Sequence, residues 1–433
     1  MTTLAEVKLW GKTIGAVALE ENETIASFQY DDDFAHSQIE ISPIVMPLSK
    51  TIYSFPELSF NTFHGLPGLL VDSLPDRYGN ALIDAWLTRQ GRKGDSFNAV
   101  ERLCYTGQRG MGALEFHPTR GPDTKRSSLI KVDALVQLAS DILSQRSNLK
   151  ASFGHDSDEI VLKDILQVGT SAGGARAKAV IAWNESTGEI RSGQVETEEG
   201  FNYWLMKFDG VSGNRDKELN DPLGFGAIEY AYYKMALAAG ITMNRSILFE
   251  ENGRRHFMTK RFDRSEDGKK VHMQSLGALA HYDFNAPGVH SYEEAFSLCQ
   301  KLGLPMESIE ELFRRMTFNI IARNQDDHVK NIAFLMDKRG TWSLAPAFDV
   351  TYSYNPTGLW TSQHQMSMNG KRDDFNLHDF KNCGKNILLK RGRAESIVEE
   401  VQRAVGLWPQ YASEAAMLDD MISSIEKTFR YFL

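Results

Sequence analysis

Cysteine is scarce. The chain of 433 residues has three, Cys104, Cys299 and Cys383, far apart and in no CxxC pair. That excludes a disulfide-stapled secreted scaffold, argues against a structural zinc site, and fits thiols kept reduced in a cytoplasm. No stretch approaches the roughly 20 apolar residues that a membrane-crossing helix needs. The opening MTTLAEVKLW has no basic segment ahead of an apolar run, so no signal peptide is expected. Positive charge is not in excess either: 48 Lys and Arg stand against 57 Asp and Glu, a net charge of −9. Broad coating of nucleic acid is therefore not expected, because phosphate neutralisation needs clustered Lys and Arg. Internal repeats and low-complexity tracts are also missing. What is present is ordinary for a globular chain: 42% hydrophobic residues, 24% charged, and 24 Phe, 14 Tyr and 7 Trp. That is too apolar and too aromatic for disorder, and the length suggests about two or three domains.

The order of patterns divides the chain. Short apolar runs at 5–11, 14–20 and 24–30 read as a β-meander. Residues 62–90 look helical, and a strand is expected at 113–116 before a polar linker around Pro118 to Ser127. Helical spacing follows at 129–145. Next come a Gly-rich loop entering a strand (168–184), a strand at 201–208, and a helix at about 225–239 closed by Gly240. A hairpin is expected from 245–250 and 255–262, joined through Asn252-Gly253. Beyond Asp263 the pattern is helical, at 292–302 behind a Ser291/Glu294 capping box, then 306–322, 394–405 and 412–432. The expectation is an α+β, two-lobed fold. It has a β-rich N-terminal subdomain (1–120), an α/β N-lobe (121–265) and an all-α, mostly helical C-terminal lobe (266–433).

Three features carry chemistry. Asp326 and Asn331 stand five apart in NQDDHVKN, and Asp349 follows Asn331 by 18 residues in APAFD. Phosphoryl transfer needs such a set: a carboxylate near the attacking hydroxyl and oxygen ligands for Mg²⁺ beside the phosphates. The second feature is the loop from Gly169 to Lys178. Its small residues let backbone N–H groups approach phosphate oxygens, although Ala175 stands where a Walker loop needs Lys. The third is Lys207, a lone charge in the apolar strand FNYWLMKF. It needs a partner, and Glu229 on an apolar helix face is the obvious one. The order of Gly-loop, strand Lys, helix Glu, Asp-x-x-x-x-Asn and Asp is that of a two-lobed kinase. It lacks His-Arg-Asp and lacks Gly after Phe348-Asp349.

Over nearly its whole length the chain resembles the HipA family, the serine/threonine-kinase toxins of bacterial type II toxin–antitoxin pairs. The resemblance rests on Leu74-Pro75-Asp76, the loop from Ser171 to Lys178, Lys260 to Arg264, Asp326 to Asn331, and Pro346 to Asp349. It implies a catalytic role for Asp326 and Mg²⁺ binding by Asn331 and Asp349, with His328 and Lys330 near the phosphates. Gly173, Gly174, Ala175, Arg176, Ala177 and Lys178 would form the phosphate loop. Lys207 would touch the ATP phosphates and Glu229 would hold it. The backbone of Lys260 and Arg261 would face adenine, Phe262 and Phe348 would lie beside the nucleotide, and Asp263 would sit near the ribose. Ser171, with Thr170 beside it, stands at the family's inactivating autophosphorylation site.

The implied biology is growth arrest through a target such as glutamyl-tRNA synthetase. The implied partner is a helix-turn-helix, HipB-like antitoxin that carries most of the affinity for operator DNA. Two other readings stay open: a small-molecule kinase, and an ATP-binding corepressor without protein-kinase activity. Two weaker candidates are a metal site at His281, Asp283 and His290, and DNA contact through Lys385, Lys390, Arg391 and Arg393.

Overall fold

A computed structural model describes residues 2–93, 96–121, 130–144, 176–194, 197–211, 215–216, 219–220 and 223–432. Gly173, Gly174, Ala175, Thr170 and Ser171 lie outside the described residues, as does most of the linker around 118–127.

The first unit is built on the expected meander. Strands Thr3–Leu9, Lys12–Leu19 and Ser27–Tyr30 pair antiparallel in sequence order, Ile52–Tyr53 flanks the third, and Leu114–His117 returns beside the first. Alternation sends Ala5, Val7 and Leu9 inward. Two longer helices close the unit. In Arg77–Arg89 the Asp76 carboxylate accepts from the Gly79 amide at 2.6 Å. Ala99–Thr106 begins with an Asn98/Glu101 capping box.

The second unit is a five-stranded sheet. Its order is Ser246–Glu251, Arg254–Lys260, Asn202–Lys207, Lys178–Trp183, Ile190–Ser192, with every neighbouring pair antiparallel. The hairpin turns at Asn252 (φ 48°) and Gly253 (φ 76°), the positive-φ pair that a tight turn requires. Helix Phe225–Ala238 lies against this hairpin. Gly226 permits the contact, since a Cβ there would stand 2.3 Å from the Arg255 carbonyl oxygen.

The C-terminal lobe contains Tyr292–Lys301, Met306–Ile321, Leu377–Asn386, Arg393–Val405, Trp408–Glu414 and Asp419–Glu426. Two features correct the expectation. The lobe is not purely helical: His272–Ser275, Ala333–Met336 and Trp342–Leu344 form a three-stranded sheet. The segment 412–432 is not one helix either, because Ala416 adopts φ 50° and separates two short ones.

The buried apolar residues gather into two cores. One joins the N-terminal strands to the C-terminal helices, with Val7, Phe28 and Leu70 in the same cluster as Leu279, Phe313 and Trp408. The other joins helix Arg77–Arg89 to the five-stranded sheet, with Tyr78 and Leu82 beside Leu135, Trp204 and Met258.

Candidate active site

The cleft lies where the five-stranded sheet meets the C-terminal lobe. Register places Lys178 directly opposite Lys207, so both side chains leave the same face of the sheet. The Lys207 ammonium is 2.6 Å from Glu229 Oε1 and also donates to Asp349 Oδ1. The pair expected between strand and helix is therefore present, and the lysine also ties the sheet to the APAFD segment. Burial alone would strip its proton. The Asp349 and Glu229 carboxylates outweigh that and hold Lys207 charged, above the ordinary lysine range. The same balance keeps Asp349 ionised: enclosure would raise its pKa, but Lys207 and Lys178 hold it well below the usual range. Glu229, fully buried, is pushed upward by desolvation against the pull of Lys207. Asp349 also sits at φ 53°, the left-handed region that non-glycine residues seldom enter.

Lys178 is 3% exposed and 3.2 Å from Asp76 Oδ2, so the helix cap of the first unit reaches the sheet of the second. The Arg176 guanidinium stacks over the Phe225 ring at 3.2 Å.

The catalytic-loop segment follows helix Met306–Ile321. Asp326 Oδ1 accepts from the Trp360 indole N–H at 2.7 Å, and the His328 ring lies 3.9 Å from Oδ2. The Asn331 amide donates to the Asp326 carbonyl at 2.9 Å, which fixes the distance between the two ends of Asp-x-x-x-x-Asn. Lys330 lies over the Phe284 ring at 5.3 Å. Asp327 has a separate set of partners. It is buried and accepts from the Tyr292 hydroxyl at 2.7 Å and the Gln365 amide at 2.8 Å, and it pairs with His364 Nδ1 at 2.8 Å. Burial would raise its pKa, but His364 and these donors bring it below the ordinary value. Asn331, His328, Asp327 and Asp349 line one small cavity of about 30 Å³ between the loop and the core.

The run from Lys260 to Asp263 continues from the end of strand Arg254–Lys260. The Lys260 amide donates to the Arg245 carbonyl and the Arg261 amide to the Tyr203 carbonyl, each at 2.9 Å. Both N–H groups are thus spent within the sheet. Asp263 is enclosed as well. It is 0% exposed, takes a two-pronged contact from Arg261 at 2.8 and 2.6 Å, and accepts from Arg264 and the Gly112 amide at 2.9 and 2.7 Å. It braces the two units. Phe262 and Phe348 have ring centroids 5.5 Å apart.

The weaker candidates resolve otherwise. His281 Nε2 accepts from the Gly68 amide at 3.0 Å, and His290 Nε2 accepts from the Asp283 amide at 3.0 Å, so both brace turns. Among the described residues no cluster of three or more His, Cys, Asp or Glu could hold a metal ion. Arg393 is bound to Glu310 at 2.5 Å and Glu400 at 2.7 Å, which takes it out of the basic run, while Lys385, Lys390 and Arg391 are exposed. Sequence reading missed Trp360, His364 and Tyr292. The doubled aspartate at 326–327 was the one available hint that a second carboxylate is held there.

Residues 170–408 match the family model for the HipA-like C-terminal domain, and residues 5–117 match the HipA N-terminal domain. The chain belongs to the HipA family. HipA of Shewanella oneidensis MR-1, solved with HipB and operator DNA, superposes with a TM-score of 0.64 over 98% of this chain and 94% of that one, at 16% identity. That likeness shows a HipA, kinase-like fold. A candidate kinase of Sinorhizobium fredii (strain NBRC 101917 / NGR234) is 26% identical over 42% of this chain and 46% of its own length. A candidate kinase of Haemophilus influenzae (strain ATCC 51907 / DSM 11121 / KW20 / Rd) is 26% identical over 40% of this chain and 58% of its own length. The chain thus spans about half the length of the curated relatives it matches. No described helix is long and apolar enough to cross a membrane.

Proposed function

We propose that this HipA-family chain is a Mg²⁺/ATP-dependent serine/threonine protein kinase and the toxin of a type II toxin–antitoxin pair. The observation that carries the reading is the meeting of Lys207, Glu229 and Asp349, with Asp349 also lining a small cavity beside Asn331 and His328. In this reading the acceptor hydroxyl oxygen bonds to the γ-phosphorus while the bond from that phosphorus to the β–γ bridging oxygen breaks. ADP leaves with that electron pair, and the hydroxyl proton passes to Asp326. Asp326 orients the nucleophile, Lys207 holds phosphate oxygens, and Glu229 keeps Lys207 charged and aimed. Asn331 and Asp349 offer hard oxygen donors suited to Mg²⁺. The metal would neutralise phosphate charge there.

The division into 1–120, 121–265 and 266–433 is proposed as the functional layout. Ser171 is proposed as the self-phosphorylation site that switches the enzyme off: about −1.5 to −2 of added charge beside the nucleotide phosphates is repulsive. The partner is a HipB-like helix-turn-helix antitoxin with operator DNA, supported by the assembly in which the Shewanella oneidensis protein was solved. The resemblance suggests glutamyl-tRNA synthetase as target type.

The test is intact-mass and peptide mass spectrometry after incubation with Mg²⁺-ATP, on the parent and on Asp326→Asn. A phosphate gained at Ser171 in the parent only is expected. No gain by a parent that began unphosphorylated would overturn the reading.

A further inference from the structure

The residues after Asp349 are fastened to the catalytic loop on both sides of one indole. The Ser353 amide donates to the Arg323 carbonyl at 3.1 Å, and the Gln325 amide donates to the Ser353 carbonyl at 3.2 Å. The Gln325 side-chain amide donates to the Thr361 carbonyl at 3.3 Å. Gln365 answers from the other side. Its side-chain amide donates to the carbonyls of Trp360 at 2.5 Å and Gln325 at 3.2 Å, while its backbone N–H donates to Asp327. Between these ties the Trp360 indole N–H meets Asp326 Oδ1 at 2.7 Å. The backbone on both sides of the indole is therefore held, and the contact is more than a chance rotamer.

An indole N–H is donor only and has no titration near neutral pH. It can fix one carboxylate oxygen without neutralising the carboxylate. A charge-assisted bond of this kind is short and directional. A carboxylate that must line up a hydroxyl gains from such a constraint, since a misplacement of about 1 Å can cost about 100-fold in rate. We infer that Trp360 is a positioning residue for phosphoryl transfer: its N–H sets the rotamer of Asp326 towards the acceptor hydroxyl. The inference rests on the kinase reading of the site and adds a residue that the phosphate-binding and metal-binding sets do not contain.

The experiment uses the full chain and the variant Trp360→Phe, which keeps an aromatic ring and removes the donor. Affinity for a fluorescent ATP analogue and the single-turnover rate of self-phosphorylation are measured together. The expected result is a rate lower by roughly 10- to 100-fold with nucleotide affinity within about twofold of the parent, a split that general loss of structure does not give. A parental rate in Trp360→Phe overturns the inference while leaving the kinase reading intact. A parent that binds the analogue but transfers no phosphate overturns the kinase reading and the role of Trp360 with it. Should Trp360→Phe fail to fold, a second measurement decides. With ¹⁵N-tryptophan in the parent and in Asp326→Asn, one of the seven indole resonances is expected to move markedly. An unmoved set overturns the contact.

Discussion

Lys207 is the residue on which the cleft turns, because its ammonium serves two carboxylates from two different parts of the chain. Removing it leaves Glu229 buried without its cation. Lys207→Met is expected to weaken ATP-analogue binding at least tenfold and to abolish the rise in melting temperature that ATP gives the parent. Fluorescence titration and thermal shift check both. Asp263 makes a different kind of demand. Its carboxylate is fully buried and balances Arg261 and Arg264. Asp263→Asn leaves two buried guanidinium groups short of charge, and a loss of about 3–5 kcal/mol is expected from urea unfolding midpoints. Lys207 and Glu229 were legible because a lone charge in an apolar strand and an acid on an apolar helix face each ask for a partner. Trp360 was not, since nothing local distinguishes an indole that packs from one that donates to a residue 34 positions earlier.

At the scale of elements, the signals that survived were those with local stereochemistry. The Asn252-Gly253 turn and the Ser291/Glu294 box stand where the sequence put them, the latter with both reciprocal hydrogen bonds formed. Ser291→Ala is expected to cost about 1 kcal/mol, measurable as a lower denaturation midpoint with the cleft unaltered. The sheet of His272–Ser275, Ala333–Met336 and Trp342–Leu344 was missed because strands of three or four residues carry too few alternations to register a period. The break at Ala416 was invisible for another reason: alanine is a good helix former, and its left-handed backbone is imposed by surrounding structure. Gly226 marks the contact between helix and hairpin. Gly226→Ala forces a Cβ against the Arg255 carbonyl and is expected to lower the melting temperature by several degrees in a thermal scan.

For the whole molecule, acid is a more informative stress than base. His256 and His272 are both 0% exposed, and burial lowers their pKa values to about 4 and about 3. In the unfolded chain each titrates near 6.5. Below that pH the unfolded state takes up protons that the folded state refuses, so stability falls as pH drops, and it is unaffected by these two groups above about 7. Each is expected to contribute up to about 1.4 kcal/mol per pH unit between roughly pH 6 and 4. Unfolding midpoints measured across that range should decline, and His272→Gln should flatten the slope. The overall division of the chain into a β-rich start, a mixed middle and a helical end was readable from where the hydrophobic period changes. How those parts share their cores was not, because core membership is decided by contacts hundreds of residues apart.

That sharing has a mechanical consequence. The first unit does not own a separate interior: its strands belong to the core of the C-terminal helices, and its helix Arg77–Arg89 belongs to the core of the five-stranded sheet. It is therefore fixed to both halves like a splint, and the halves also meet directly through helix Phe225–Ala238, whose Ala231 and Tyr232 lie in the first of these cores. A cleft between two bodies joined by a strap can open as a hinge, but a splinted one bends at a cost shared between two cores. Severing the splint at one attachment is expected to loosen the halves before it unfolds them.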